Sequence, residues 1–117
     1  MIANEVLDAF PVKRIILSNI QFYELGVDCI DNCFQWKRFE QPYLKSEVPY
    51  IADLPEGYST EISLQSGGWI KSLYDLMSEG VVLLIDYGMS QSEYFHPQRT
   101  DGTLKCFYRH KSNNNPF

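Results

Sequence analysis

The chain is poor in three things, and each absence closes a door. No apolar run approaches the roughly 20 residues needed to cross a bilayer as a helix. Lys and Arg number 10 against 15 Asp and Glu, a formal net charge of −5. A broad phosphate-binding surface needs clustered cations, so nucleic acid is not an expected partner. Cysteine occurs three times, an odd number at odds with a disulfide framework. Cys29 and Cys33 are spaced as some zinc ligands are, but only Cys106 remains to join them, and no metal site is expected. The first residues also lack a basic stretch followed by an apolar one, the mark of an export signal. The expectation is a cytoplasmic, reduced protein without a membrane partner.

What is present suits one packed domain: 117 residues, 44% hydrophobic and 15% aromatic, enough apolar mass for a core. Two short apolar runs stand out because each ends in acid. Met1-Ile2-Ala3 leads into Asn4-Glu5-Val6-Leu7-Asp8, and Val81 to Ile85 leads into Asp86-Tyr87-Gly88. Such runs read as buried parallel strands. Ligands of open α/β sheets sit just past the carboxyl ends of their strands, so the two acid-tipped ends mark an active-site rim.

Between them, Asp8-Ala9-Phe10-Pro11 predicts a turn. Strands are expected over Lys13–Leu17, Gln21–Val27 and Cys33–Phe39, with Ser18-Asn19 as turn residues. Residues 40–57, with Pro42, Pro49 and Pro55, read as a connecting excursion. A helix is expected from Gly68 to Glu79, with Trp69, Ile70, Leu73, Leu76 and Met77 on one stripe, Ser66 as cap or pre-cap and Gly80 as left-handed terminator. A last strand is expected at Thr103–Tyr108. The boundaries that result are 1–12 for a strand and acidic loop, 13–57 for a strand-rich insertion, 58–88 for a helix and strand, and 89–117 for an aromatic and basic tail. The chain opens inside an apparent core strand and closes on Asn113-Asn114-Asn115-Pro116-Phe117, which suggests a piece of something longer.

Several residue sets are candidates for chemistry. Glu5 and Asp8 would share one face if their turn were helical, and could then grip a cation or guanidinium. The plainer reading makes Asp8 a turn cap and leaves Glu5 in water. Asp86 can take a proton, bind a hydroxyl, or brace the turn that Gly88 permits. The tail offers His96, Arg99 and His110 among aromatics, the make-up of a lid or substrate wall. No phosphate-binding glycine loop, zinc-protease motif or nucleophile elbow occurs.

The run Asn4-Glu5-Val6-Leu7-Asp8-Ala9-Phe10-Pro11-Val12 resembles the signature of the MidA-like class I S-adenosylmethionine-dependent methyltransferases. Leu84-Ile85-Asp86-Tyr87-Gly88, Ser92 to Arg99, Gly102-Thr103-Leu104 and Tyr108-Arg109-His110 are similar to its bacterial branch, and Trp69 and the Gly80 strand entry fit too. That family includes a mitochondrial complex I assembly factor that methylates an arginine. The resemblance implies an α/β fold: part of a class I (Rossmann-like) methyltransferase sheet, its strands four and five, with a strand-rich insertion and a C-terminal tail. It implies S-adenosylmethionine as cofactor, held by an upstream glycine-rich loop that these residues do not include. Placed after the fourth strand, where arginine methyltransferases hold a guanidinium on an acidic loop, Glu5 and Asp8 are taken by hypothesis as the catalytic candidates, orienting a protein side chain such as arginine. Asn4, Asp86, Tyr87, His96, Arg99 and His110 become substrate-binding candidates. Alone, the chain is then expected to be inactive and to self-associate through open sheet edges. The alternative is a non-enzymatic assembly module that keeps the fold remnant.

Overall fold

The computed structural model describes residues 1–43, 48 and 53–117. Its elements, in chain order, are β1 (Ile2–Asn4), β2 (Lys13–Ser18), β3 (Gln21–Ile30), β4 (Cys33–Pro42), β5 (Ser59–Ile62), α1 (Gln65–Leu76), β6 (Leu83–Ile85), α2 (Gln91–Tyr94), β7 (Cys106–Tyr108) and β8 (Lys111–Asn113). The fold is mixed α/β and dominated by strands, in sheets ordered β1-β6, β4-β3-β2-β5 and β7-β8.

Three hairpins share one turn chemistry. Asn19 and Ile20, Asp31 and Asn32, and Arg109 and His110 all adopt positive φ, between 49° and 67°. Two-residue loops with both residues left-handed match the right-handed twist of the flanking strands. Asn and Asp adopt that region readily, whereas β-branched Ile20 is strained in it. The Asn19 amide is held by the Glu56 carboxylate at 3.0 Å, which helps keep the turn in place.

The four-stranded sheet carries the core. Leu17 opposes Phe22 across β2 and β3, and with Ile15, Ile62, Tyr58 and Val48 they form one buried cluster. Period-two alternation puts Arg14 on the other face, opposite Glu61 of β5. All four residues of β5 are buried, a strand not anticipated in a run as polar as Ser59-Thr60-Glu61. At the other end, Phe39 lies where a side chain on Gly26 would meet its ring at 2.5 Å.

The acid-tipped runs are adjacent and parallel as expected, with Ile2 opposite Leu83 and Asn4 opposite Ile85. The expectation of burial is not met. Ile2, Leu83 and Ile85 are at least half exposed, because two strands alone cannot enclose both of their faces. Helix α1 also departs from expectation. It begins at Gln65, so Ser66 lies inside its first turn, and Leu64 is an N-cap without a side-chain bond. It ends at Leu76, before extended Met77, leaving left-handed Gly80 (φ +135°) beyond it. Of the apolar stripe, Trp69, Leu73 and Met77 are half-buried, while Ile70 and Leu76 face solvent. The excursion expected over 40–57 falls partly outside the described residues, Pro49 with it. No described helix is long and apolar enough to cross a membrane.

Candidate active site

Parallel pairing of β1 and β6 sets residues 5 and 86 side by side. The Glu5 amide continues the ladder, donating to the Ile85 carbonyl at 2.8 Å, and the left-handed Glu5 (φ +50°) turns the chain away. The loop that follows is organised by Asp86. Its Oδ2 accepts the amides of Leu7 (2.7 Å) and Asp8 (3.1 Å), and its Oδ1 accepts the amide of Tyr87 at 2.8 Å. Successive amides converging on a carboxylate form an anion-binding nest. Asp86 therefore braces backbone, the third of the roles open to it, on the neighbouring strand's loop as well as its own. A bond from the Phe10 amide to the Leu7 carbonyl closes the turn at 3.2 Å. Phe10 then packs edge-on against Trp69 of α1, with centroids 5.4 Å apart. Residues 5–8 form no helix, so Glu5 and Asp8 do not share a helical face.

Asp8 opens onto a cleft of about 540 Å³ whose walls include Tyr87, Tyr94, Glu61, Thr103 and Phe107. Apolar and aromatic walls with a few convergent polar groups are the usual make-up of a ligand site. The tail supplies much of this wall. In α2 the Glu93 carboxylate accepts the Ser90 hydroxyl at 2.7 Å and the Ser90 amide at 2.9 Å. These bonds hold the Glu93 carboxyl below its ordinary value, the hydroxyl bond contributing most. The turn so capped delivers Tyr94, whose hydroxyl donates to the Glu61 carbonyl at 2.9 Å. Behind it, fully buried Tyr58 donates to the Tyr94 carbonyl at 3.4 Å, and burial raises the Tyr58 pKa.

Glu61 is the buried carboxylate of the site. Its Oε2 accepts the Thr103 amide at 2.7 Å and the Thr103 hydroxyl at 3.1 Å. Arg14, also buried, places Nε 3.8 Å from Glu61 Oε1. The same guanidinium pairs with the Asp101 carboxylate and lies 4.9 Å from the Trp36 ring centroid.

The structure brings Asp8, Asp86 and Tyr87 together at the strand ends, with exposed Asn4 and Glu5 beside them. It sets the other three candidates elsewhere. His96 and Arg99 line a separate open pocket with Glu93 and Gln98. There His96 Nδ1 accepts the Gln98 amide at 3.2 Å, and Arg99 Nε donates to the Glu93 carbonyl at 3.3 Å. His110 occupies the β7–β8 turn, exposed. Glu61, Thr103 and Tyr94 were not singled out by sequence reasoning as site residues. Their participation depends on pairings 33 and 42 residues apart, which no local pattern announces. A second groove, of about 420 Å³, runs between α1 and β6 and is walled mainly by apolar groups such as Ile70, Leu73, Met77, Val82 and Leu84.

Residues 1–117 match a family model described as "Putative S-adenosyl-L-methionine-dependent methyltransferase". Two crystal structures from Burkholderia thailandensis, of one superfamily, have the same fold over 99% of this chain. One, an uncharacterised protein, is 34% identical with a TM-score of 0.85, and this chain covers 32% of it. The other, solved with S-adenosylhomocysteine bound, is 32% identical with a TM-score of 0.88, and this chain covers 30% of it. The chain thus spans about a third of the length of these structures. No curated protein is significantly similar to it. With its whole length inside the family model and both structures more than 30% identical, the chain belongs to this family of S-adenosylmethionine-dependent methyltransferases.

Proposed function

We propose that the whole protein transfers a methyl group to a protein side-chain nitrogen, arginine being the best fit, and that this chain forms the acceptor side of its site. The observation that carries the reading is the Asp86 carboxylate holding the amides of Leu7 and Asp8. This fixes an acidic loop at the carboxyl ends of two parallel strands, where α/β sheets bind their ligands. In this reading β1 and β6 are strands four and five of a class I methyltransferase sheet, and β2–β5 an insertion beside it.

When bound, S-adenosylmethionine would supply an electrophilic methyl group and leave as S-adenosylhomocysteine, with the proton given up by the acceptor nitrogen passing to the Asp8 carboxylate or to water. The homologous structure with S-adenosylhomocysteine bound supports that cofactor. Asp8, with Glu5 at the rim, would orient a guanidinium through paired, charge-assisted bonds. Tyr87, Tyr94 and Phe107 would flank the acceptor and exclude water. The chain alone is proposed to be inactive, because the residues that hold the cofactor in the family reading lie upstream of those seen here.

Calorimetric titration of the 117-residue chain with S-adenosylhomocysteine tests the division of labour. No heat is expected, and saturable binding would overturn it. In a protein of full family length, Glu5→Gln and Asp8→Asn are each expected to slow transfer to an arginine peptide. Unchanged rates in both would sink the guanidinium role.

A further inference from the structure

We propose that Glu61 is a positioning residue for the acceptor side of the cleft, its carboxylate acting through Thr103 beside a backbone carbonyl that holds Tyr94; this rests on the methyl-transfer reading above. The Glu61 side chain is 3% exposed, and a buried carboxylate is costly unless paired and hydrogen-bonded. An apolar residue would fill a sheet interior as well or better, so the bonds this carboxylate makes call for an explanation. Its Oε2 takes both donors of Thr103, while its backbone carbonyl takes the Tyr94 hydroxyl. Those two residues come from different segments of the tail, and both line the cleft with Glu61 and Asp8. One residue of the four-stranded sheet thus sets the place of two wall residues across from the acidic loop.

The neighbourhood is built around that contact. Gly102 has φ +68°, a conformation side chains rarely adopt, and a Cβ there would stand 2.5 Å from Glu61 Oε2. Only glycine lets the backbone approach the carboxylate so closely. Arg14 balances the charge through Nε, 3.8 Å from Oε1, yet neither atom has a hydrogen-bond partner among the described residues. The carboxylate's hydrogen bonds go to the tail, not to its own counter-ion. Removing its charge should therefore loosen the Thr103 part of the tail wall, leave the Tyr94 bond to the backbone carbonyl in place and weaken acceptor binding, while the cofactor, held elsewhere, is unaffected.

The test is steady-state methyl transfer to an arginine-containing peptide by a protein of full family length carrying this chain. Glu61→Gln is expected to raise the peptide KM about tenfold, the worth of one charge-assisted hydrogen bond. Its kcat should stay within about twofold, and its S-adenosylhomocysteine affinity should stay at the wild-type value. Thr103→Val, which keeps the amide and loses the hydroxyl, should shift KM the same way by less. Thr103→Ser should recover what Thr103→Val loses. A wild-type KM in both Glu61→Gln and Thr103→Val overturns the proposal. So does a joint fall in kcat and cofactor affinity, which marks a general structural role. Should Glu61→Gln fail to fold, the Thr103 pair decides. Wild-type protein that binds S-adenosylhomocysteine but transfers no methyl group would overturn the methyl-transfer reading and this role with it, an outcome that needs no variant to recognise.

Discussion

Asp86 Oδ2 accepts the amide of Leu7 at 2.7 Å, joining residues 79 positions apart. The bond ties the loop after β1 to the end of β6, so the acidic rim depends on two strands that meet only in the folded chain.

Asp86→Ala should leave the Leu7 and Asp8 amides without their acceptor. In this partly solvated setting the loss is expected to be about 1–2 kcal/mol. Asp86→Asn keeps one acceptor oxygen and should lose less. Urea unfolding gives the stability, and hydrogen exchange at Leu7 gives the local effect. Leu7 exchange as slow in Asp86→Ala as in the wild type would refute the brace.

Gly102→Ala and Gly57→Ala separate strain from collision. Both glycines have positive φ, but only at Gly102 would a Cβ meet Glu61, whereas among the described residues nothing lies within 4 Å of one at Gly57. Gly57→Ala should cost about 1 kcal/mol from the backbone alone. Gly102→Ala should cost clearly more. Equal melting shifts would show that the Glu61 contact yields without penalty.

Ile15 is completely buried in the core cluster. Ile15→Ala is expected to destabilise by about 2–5 kcal/mol, through lost burial and the cavity left behind. A change under about 1 kcal/mol in denaturant unfolding would mean that the sheet collapses onto the gap.

The Glu93 carboxyl is held below its ordinary value of 4.5 by the Ser90 hydroxyl and amide. A folded pKa below the unfolded one means that the cap's stabilisation is complete above the ordinary range. It is lost as pH falls through the lowered value. The Ser90 amide should therefore lose exchange protection on the acid side in the wild type, and Glu93→Gln should abolish that pH dependence. An identical acid profile in both proteins would remove the cap from the account.

Exposed Ile2, Leu83 and Ile85 on a two-stranded parallel sheet offer open edges and apolar area that another copy can cover. The 117-residue chain is accordingly proposed to self-associate as its concentration rises. A monomer by light scattering across the millimolar range would dismiss this.

Much of the fold was legible because its signals are local. Asn19 marks a turn through its tolerance of positive φ, and the alternation around Ile15, Leu17 and Phe22 marks strands; the turns at Asp31-Asn32 and Arg109-His110 were not anticipated. Strand β5 was not legible, since Ser59-Thr60-Glu61 looks like solvated loop. It is buried because the apolar core covers one face while Arg14 and the tail cover the other. The limits of α1 were misjudged for a related reason. Ser66 and Gly80 are sound boundary residues in isolation, but the connections to β5 and β6 place the ends at Gln65 and Leu76.

Of the candidate site, the sequence by itself determined the acid-tipped runs, and their residues carry the family resemblance that the whole-length match bears out. It also marked Asn19 as a turn residue, whose tolerance of positive φ lies in the single side chain. The tertiary structure alone decided which candidates meet. It set Asp8, Tyr87 and Glu61 on one cleft and put His96 and Arg99 in another pocket. It also made Asp86 a brace and gave buried Glu61 its hold on Thr103. The physical reason is range. Turn and strand preferences act over a few residues, whereas a carboxylate's role is set by which amides and hydroxyls packing brings within about 3 Å.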